Sequence, residues 1–283
     1  MIKEFISSSS LKELLVKRNT LGDTSILIAG GTELRRLDSP AMKDEQVYLS
    51  LDGLGLDTIS VKDDGIYIGS MVTLQQIVDS SDVPPWIQEA AHGAGSRTLR
   101  NMATIGGNIG AFRDDSYLIP ACIAAKVRVL TADIREDGDI IEDDVPIREF
   151  IENFSSFRSS CITNIAIKKL DRCVLVKRYS RTAQRRPDAA IAFGADCSDE
   201  TIKDIRIAVG GLGLGITRLH KVEDGIMNQS LQTYKEIRQV VDDTIDPVQD
   251  ITGSAAYKQY LVSITLADML QTCVENAEGG PST

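Results

Sequence analysis

Two double glycines are the residues in this chain best placed to do chemistry. The first lies in Leu27-Ile28-Ala29-Gly30-Gly31-Thr32-Glu33-Leu34, the second in Thr104-Ile105-Gly106-Gly107-Asn108. Glycine reaches positive φ and lets another group come close to the main chain. The N–H groups that such a turn frees can hold a phosphate. A short apolar strand, Ser25 to Ala29, runs straight into the first pair, and Thr32 stands at the N-cap of a further apolar-periodic segment. Taken alone, this segment reads more simply as a tight strand-to-helix turn without ligand. It has no Gly-Lys-Ser/Thr and no GxGxxG fingerprint. Two such motifs, each flanked by threonine, point instead to two backbone clamps on one extended anion. A dinucleotide, with two phosphates to hold, suits them better than a mononucleotide. Two unrelated turns is the competing reading.

Other polar groups are weaker candidates. Lys177, Arg178, Arg181, Arg185 and Arg186 form a basic stretch in an acidic protein. Such a stretch is commonly a solvated strand face, or here a partner for the acidic run from Asp133 to Asp144. Functionally, one of these arginines balances a diphosphate or a reduced, anionic flavin. Arg97, Arg100 and Asn101 read as ties for an irregular loop. Asp114 and Asp115 can accept hydrogen bonds from sugar hydroxyls, although adjacent acids in a loop are more often solvated. His92 and His220 receive no role.

These residues must be positioned by a mixed α/β scaffold. Ser10 caps a helix from Leu11 to about Arg18. Strands are expected at Ser25–Ala29, Val47–Leu49, Thr58–Val61 and Gly65–Gly69, with a turn at Asp63-Asp64. Further strands fall at Val127–Thr131, Cys161–Ile167, Val174–Tyr179 and Ile205–Gly210, with Asp188–Ala195 apolar. Helices are expected after Thr73, over Trp86–Ala94, Leu118–Ala125, Tyr234–Val241 and Tyr257–Leu270. Ser96 to Asp115 reads as a long polar loop, and the tail from Gly279 as frayed.

Composition removes several classes. The 283 residues carry 31 Lys and Arg against 41 Asp and Glu, a net charge of −10, which disfavours a nucleic-acid partner. No run approaches the roughly 18 apolar residues of a membrane span, and the N-terminus lacks a signal-peptide core. The cysteines, Cys122, Cys161, Cys173, Cys197 and Cys273, are odd in number and form no CxxC. That pattern suits a reduced, cytoplasmic chain without a zinc or iron–sulfur site of its own.

Ala29-Gly30-Gly31-Thr32-Glu33-Leu34 followed by Leu99-Arg100-Asn101-Met102-Ala103-Thr104-Ile105-Gly106-Gly107-Asn108-Ile109 resembles the FAD-binding, or medium, subunit of the molybdenum hydroxylases. Bacterial xanthine dehydrogenase and aerobic carbon monoxide dehydrogenase carry such subunits. The likeness extends to Phe5–Leu15 as the family's first helix, to Leu49–Ser70, to Asp188–Ala192 and Ile205–Gly211, and to Asp250–Tyr257 as its closing motif. The resemblance implies an α+β fold: a two-subdomain FAD-binding domain of the vanillyl-alcohol-oxidase type over residues 1–170, split near 58, then a smaller α+β domain over 171–283. It implies that Leu27 through Leu34 and Thr104 through Asn108 bind FAD. Ile162 corresponds to an aliphatic residue beside the flavin, and Arg181 to a Lys at its edge. It also implies a partner [2Fe–2S] subunit, a molybdenum-cofactor subunit and electron delivery to NAD⁺ or another acceptor. The family's ribityl-binding Asp falls on Tyr117 here, so Asp114 or Asp115 takes that contact or the ribityl chain is held differently. A stand-alone FAD-dependent NAD(P)H oxidoreductase, or a scaffold that lost its cofactor, are the alternatives.

Overall fold

A computed structural model describes residues 2–34, 46–169, 172–182, 185–198, 201–228 and 233–277, without the side chains of 2, 197, 198, 201, 276 and 277. The expected helix after Thr32 runs into the segment 35–45, and the frayed tail covers 279–283. Both lie outside the described residues. The chain divides into two units that interleave in sequence: Met1–Val83, Arg97–Phe112 and Lys126–Lys168 form the first, and Pro84–Ser96, Arg113–Ala125 and Lys169–Thr283 the second.

The first unit holds two sheets. Strands β1 (Ile2–Ser7), β3 (Gln46–Ser50) and β2 (Ser25–Ile28) form a parallel sheet in the order β1-β3-β2. Helix α1 (Leu11–Leu21) covers it, and the Ser10 side chain accepts from the Glu13 N–H at its start. Leu14, Leu15, Val47 and Leu49 form the core between them. The helix expected from Phe5 is corrected: Phe5 sits on β1, paired with Tyr48, and helix begins only at Leu11. The second sheet is antiparallel, β4 (Ile59–Lys62), β5 (Gly65–Gly69), β8 (Cys161–Lys168), β6 (Arg128–Ile134) and β7 (Ile140–Pro146), in the order β4-β5-β8-β6-β7. The acidic run makes the exposed β6–β7 hairpin, where Arg128 pairs with Asp144 at 2.6 Å.

Helix α2 (Leu74–Asp79) follows β5 and is capped by a reciprocal Thr73–Gln76 box. Ser96–Asp115 is not the irregular loop that its glycines suggest. It contains α4 (Arg97–Arg100) and α5 (Ile105–Gly110). Thr104 caps α5 through the Gly107 N–H at 3.0 Å, so the second double glycine occupies a helix's first turn. Helix α7 (Ile147–Glu152) follows β7 directly, on the way to β8.

The second unit is a sheet between helices. Strands β12 (Thr217–Arg218), β11 (Thr201–Gly210), β10 (Ala189–Ser198) and β9 (Cys173–Tyr179) are antiparallel neighbours in that order. Side chains alternate across a strand. On β10, Ala189, Ile191, Phe193 and Ala195 enter a core with residues of α8 (His220–Met227), α9 (Tyr234–Thr244) and α10 (Ala255–Ala277). Helix α6 (Leu118–Ala124) packs on β10 and β11, and α3 (Pro85–His92) on β9 and α6. A Cβ on Gly194 would overlap the Ala124 carbonyl oxygen, so α6 sits directly on bare β10 backbone. Arg172, with 2% of its side chain exposed, ties this junction. It donates to the carbonyls of Ala124 (2.7 Å) and Gly194 (2.6 Å) and to Asp196 (2.6 Å) and Asp204 (2.9 Å).

Phe193 is fully buried in the α8–α10 core. Phe193→Ala is expected to cost about 3–5 kcal/mol, read as a lower urea midpoint. An unchanged midpoint would mean that the strand does not face that core.

Candidate functional site

The two glycine motifs meet within the first unit. Strand β2 delivers Ala29 and Gly30, and the Leu51 N–H donates to Ile28 O at 3.0 Å, which fixes the strand's exit. A Cβ on Gly30 would overlap the Met102 carbonyl oxygen. Only glycine therefore permits the chain at 30 to lie against the chain at 102. Gly31 follows at φ +67, and Thr32–Leu34 form a turn rather than helix. Residues 29–34 are half-buried, so their main chain is within reach of a ligand.

The segment 103–106 is stitched to the exit of β5. Leu74 N–H donates to Ala103 O (2.8 Å), Ile105 N–H to Val72 O (3.0 Å) and Gly106 N–H to Ser70 O (2.9 Å), and Thr73 and Thr104 form an isolated bridge. A Cβ on Gly106 would lie 2.5 Å from the Ser70 Cβ. Neither Gly106 nor Gly107 has positive φ. Their lack of a side chain serves close packing, not an unusual turn.

One expectation is corrected at this point. The second motif does not offer a cradle of N–H groups. Ile105 and Gly106 donate to residues 72 and 70, Gly107 to the Thr104 hydroxyl, and Asn108 to Thr104 O. What it offers is a surface without a side chain. A Cβ on Gly107 would sit 3.7 Å from the Ala29 Cβ and 2.9 Å from Thr104 Oγ1. Gly107 and Asn108 are half-buried. The N–H groups of residues 105–108 are thus already engaged within the fold.

Ile162 lies near the end of the helix that carries the second motif. It lies half-buried on β8, and its Cδ1 would be 3.7 Å from a Cβ on Gly110. Beside it, β8 bulges: Leu130 pairs with Asn164 and Thr131 with Ile162, so Thr163 is the extra residue. The Thr163 carbonyl accepts from Ser70 N–H at 2.9 Å. That bond continues the regular β5–β8 register past Gly69–Asn164 and ties β8 to the β5 exit that carries the second motif. Phe112, which ends this unit's segment, holds φ +42 and stacks on Phe154 at 5.2 Å. Nothing in the sequence flagged that ring.

Arg181 is not among these residues. It lies exposed in the second unit, in the bend after β9. Three other arginines of the basic stretch have partners within the second unit. Arg178 donates to Gly93 O (2.7 Å) and Arg185 O (3.0 Å). Arg185 lies 3.8 Å from Asp188, and Arg186 3.0 Å from Asp115. Burial lowers the Arg186 pKa. Asp115 also takes Arg113 at 2.8 and 3.1 Å. Tyr117 is buried, and its ring lies where a Cβ on Gly93 would be. Burial, with Glu89 beside it, raises its pKa. Arg100 is buried and donates to Gln75 at 3.0 Å, the structural tie expected of it.

Elsewhere the chain offers little reactive chemistry. Burial pushes the Cys122 and Cys161 thiols up to about 12. Among the described residues, no group of three or more His, Cys, Asp or Glu side chains could hold a metal. No helix among them is long and apolar enough to cross a membrane.

Residues 2–167 match the family described as the FAD binding domain in molybdopterin dehydrogenase, and residues 176–273 the CO dehydrogenase flavoprotein C-terminal domain. A protein of Escherichia coli K12, YgfM, itself described as uncharacterized, is 28% identical over 98% of this chain and 99% of its own. The nicotine 6-hydroxylase medium subunit of Paenarthrobacter nicotinovorans is 25% identical over 91% of this chain and 92% of its own. The solved carbon monoxide dehydrogenase of Hydrogenophaga pseudoflava that lacks the Mo-pyranopterin moiety shares the fold. Its TM-score is 0.82 at 19% identity, covering 96% of both chains. The converging glycine motifs thus lie in an FAD-binding domain, and the chain belongs to the molybdopterin dehydrogenase flavoproteins, as an FAD-binding medium subunit of the molybdenum hydroxylase and carbon monoxide dehydrogenase family.

Proposed function

We propose that this chain is the electron-transfer flavoprotein of a xanthine dehydrogenase-like molybdenum hydroxylase in the cytoplasm. It would take electrons from a [2Fe–2S] subunit, itself supplied by a molybdenum-cofactor subunit, and deliver them to NAD⁺ or another acceptor. Residues 1–170, in two subdomains divided near 58, are assigned to FAD, and 171–283 to the C-terminal α+β domain. The observation that carries this reading is the meeting of Gly30 with Met102 and of Gly107 with Ala29.

The residues present fit the cofactor. Leu27 to Leu34 bring a half-buried turn with a glycine at positive φ. We assign the diphosphate to the N–H groups of Gly30, Gly31 and Thr32. Thr104 to Asn108 supply a face without a side chain at Gly107, where an extended ligand can lie against the main chain. Ile162 is assigned an apolar contact with the ring. Arg181, exposed on the other unit, is retained only as the counterpart implied by the family resemblance. Bound FAD supplies what these side chains lack, exchange of single electrons on one side and of a hydride on the other. The protein's part is to bind, orient and shield it, and no side chain is assigned as acid or base.

A second reading, a scaffold that lost its cofactor, rests on Tyr117, buried where the family has an Asp. Flavin content decides between the two. The purified chain is expected to be yellow, with oxidised-flavin absorbance. A folded chain that stays colourless after incubation with FAD would establish the scaffold.

A paired substitution tests the site itself. Gly107→Val projects into the space toward Ala29, crowding the Thr104 cap hydroxyl, and is expected to weaken FAD binding by about tenfold or more, one order being ~1.4 kcal/mol, with a smaller loss of stability than Gly106→Val. Gly106→Val drives into Ser70 and is expected to destabilise the fold first. Unchanged FAD affinity in a folded Gly107→Val chain would remove that turn from the cofactor site.

A further inference from the structure

One arginine of the second unit is left without a bond where its neighbours have theirs. Ile205, Ile207 and Val209 of β11 enter the α8–α10 core, so Asp204, Arg206 and Ala208 point to the sheet's other face. Across the ladders, Arg206 stands opposite Gly194 and Ala208 opposite Arg218. Directly opposed residues share a face, and diagonal neighbours come within reach of long side chains. Arg172 crosses that face at Gly194, where a Cβ would lie 2.9 Å from its Nε. Arg172, Arg206 and Arg218 thus stand in a row.

The acceptors around them are shared unevenly. Arg172 holds Asp196 and Asp204 as well as the carbonyls of Ala124 and Gly194. Strand β12 ends at Arg218, and Glu223 caps the β11 edge beyond it. Its Oε1 accepts from the Ile207 N–H (2.7 Å) and from Arg218 Nε (2.8 Å), and its Oε2 lies 3.4 Å from His220 Nδ1. Arg218 is fixed by that bond, and its two terminal amines make none among the described residues. Arg206 has neither a side-chain hydrogen bond nor an ion pair among them. Its Nε is sealed inside, while its terminal amines stay open to solvent.

A guanidinium keeps its proton, so Arg206 cannot escape this setting by neutralising. Burial first, then the charge of Arg218, lower its pKa; Arg172 acts in the same sense, and Asp204 and Glu223 against it. The three arginines balance Asp196, Asp204 and Glu223 in formal charge, but those carboxylates are bonded to Arg172 and Arg218, and none to Arg206. What is missing at Arg206 is an acceptor. It has to serve two guanidinium ends at once, each with its pair of terminal amines. A carboxylate fills one such fork, whereas a tetrahedral phosphate group offers further oxygens and bridges both.

We propose that Arg206 and Arg218 form a binding site for a phosphate group, each donating through its terminal amines. The test titrates the full chain with inorganic phosphate by calorimetry at fixed ionic strength, in excess FAD so that the flavin site does not take up the probe. A single phosphate per chain is expected. Arg206→Gln removes no bond present in the structure and is expected to weaken binding by about tenfold or more, one order being ~1.4 kcal/mol. Arg206→Lys keeps the charge without the fork and is expected to recover only part of that loss. Phosphate is expected to raise the unfolding temperature of the wild type and not that of Arg206→Gln. Glycerol phosphate run beside inorganic phosphate separates the two sources: tighter binding of the ester names a phosphorylated metabolite, tighter binding of the ion names free phosphate. Unchanged phosphate affinity in Arg206→Gln would overturn the site. So would an equal loss in Arg148→Gln, at an exposed arginine of the first unit, since the effect would then be one of overall charge. An unfolding temperature lowered by Arg206→Gln in phosphate-free buffer would make Arg206 a structural tie instead, and acetate bound as tightly as phosphate would remove the phosphate assignment.

Discussion

The site depends on one main-chain approach. The backbone at Gly30 lies against the Met102 carbonyl so closely that no side chain fits between them. Everything else in the first unit makes that approach possible. The parallel sheet fixes where β2 ends, the β5–β8 pairing fixes Ser70, and Ser70, Val72 and Thr73 fix the segment 103–106. The two motifs are remote in sequence, so closing this contact costs loop entropy that local structure cannot offset. Burial of Leu14, Leu15, Val47 and Leu49 beneath the sheet, and of Ile105 and Ile109 on α5, supplies the favourable term.

Strand β8 serves two neighbours at this point. Toward β5 it keeps register, and the Thr163 carbonyl meets the Ser70 N–H one step beyond the Gly69–Asn164 pair. Toward β6 it bulges at Thr163, next to Ile162. The regular ladder therefore anchors Ser70, against which Gly106 packs, while the irregularity on the opposite edge is what lies beside Ile162.

Much of this was legible in the residues. Period-two alternation marked most of the strands, and the Ser10 and Thr73 caps marked helix starts. The glycine pairs mark the close approaches at Met102 and Ser70, because such approach is a property of the residue type itself. Where pattern and structure differ, the causes are physical. The family likeness puts Phe5 on a helix, but Ile2–Ser7 is a strand whose partners, near Tyr48, are distant in sequence. The glycines of Ser96–Asp115 suggest a loop, since Gly106 and Gly107 are poor helix formers. Packing against Ser70 overrides that preference. The same packing consumes the N–H groups that the sequence appeared to offer to phosphate. The Thr163 bulge and the Phe112–Phe154 stack were out of reach, since each depends on a contact across the fold.

After the second motif, Tyr117 stands where the family resemblance implies an Asp. Its ring fills the space over Gly93, within the same unit. Arg178 then holds the Gly93 carbonyl beside that ring. Asp115 lies between Arg113 and Arg186, so its charge is balanced and its oxygens are engaged. Asp114 contributes its backbone carbonyl, which accepts from the Gly211 N–H at 2.6 Å, and its side chain faces solvent. Arg113 to Tyr117 are thus held by the second unit's own residues. A substitution of Tyr117 alone to Asp would restore a carboxylate but leave Gly93 uncovered and the carboxyl buried, which is costly unless it is paired. Tyr117 and Gly93 therefore depend on one another, with Arg178 holding the glycine's carbonyl, so a change at 117 has to be matched at 93.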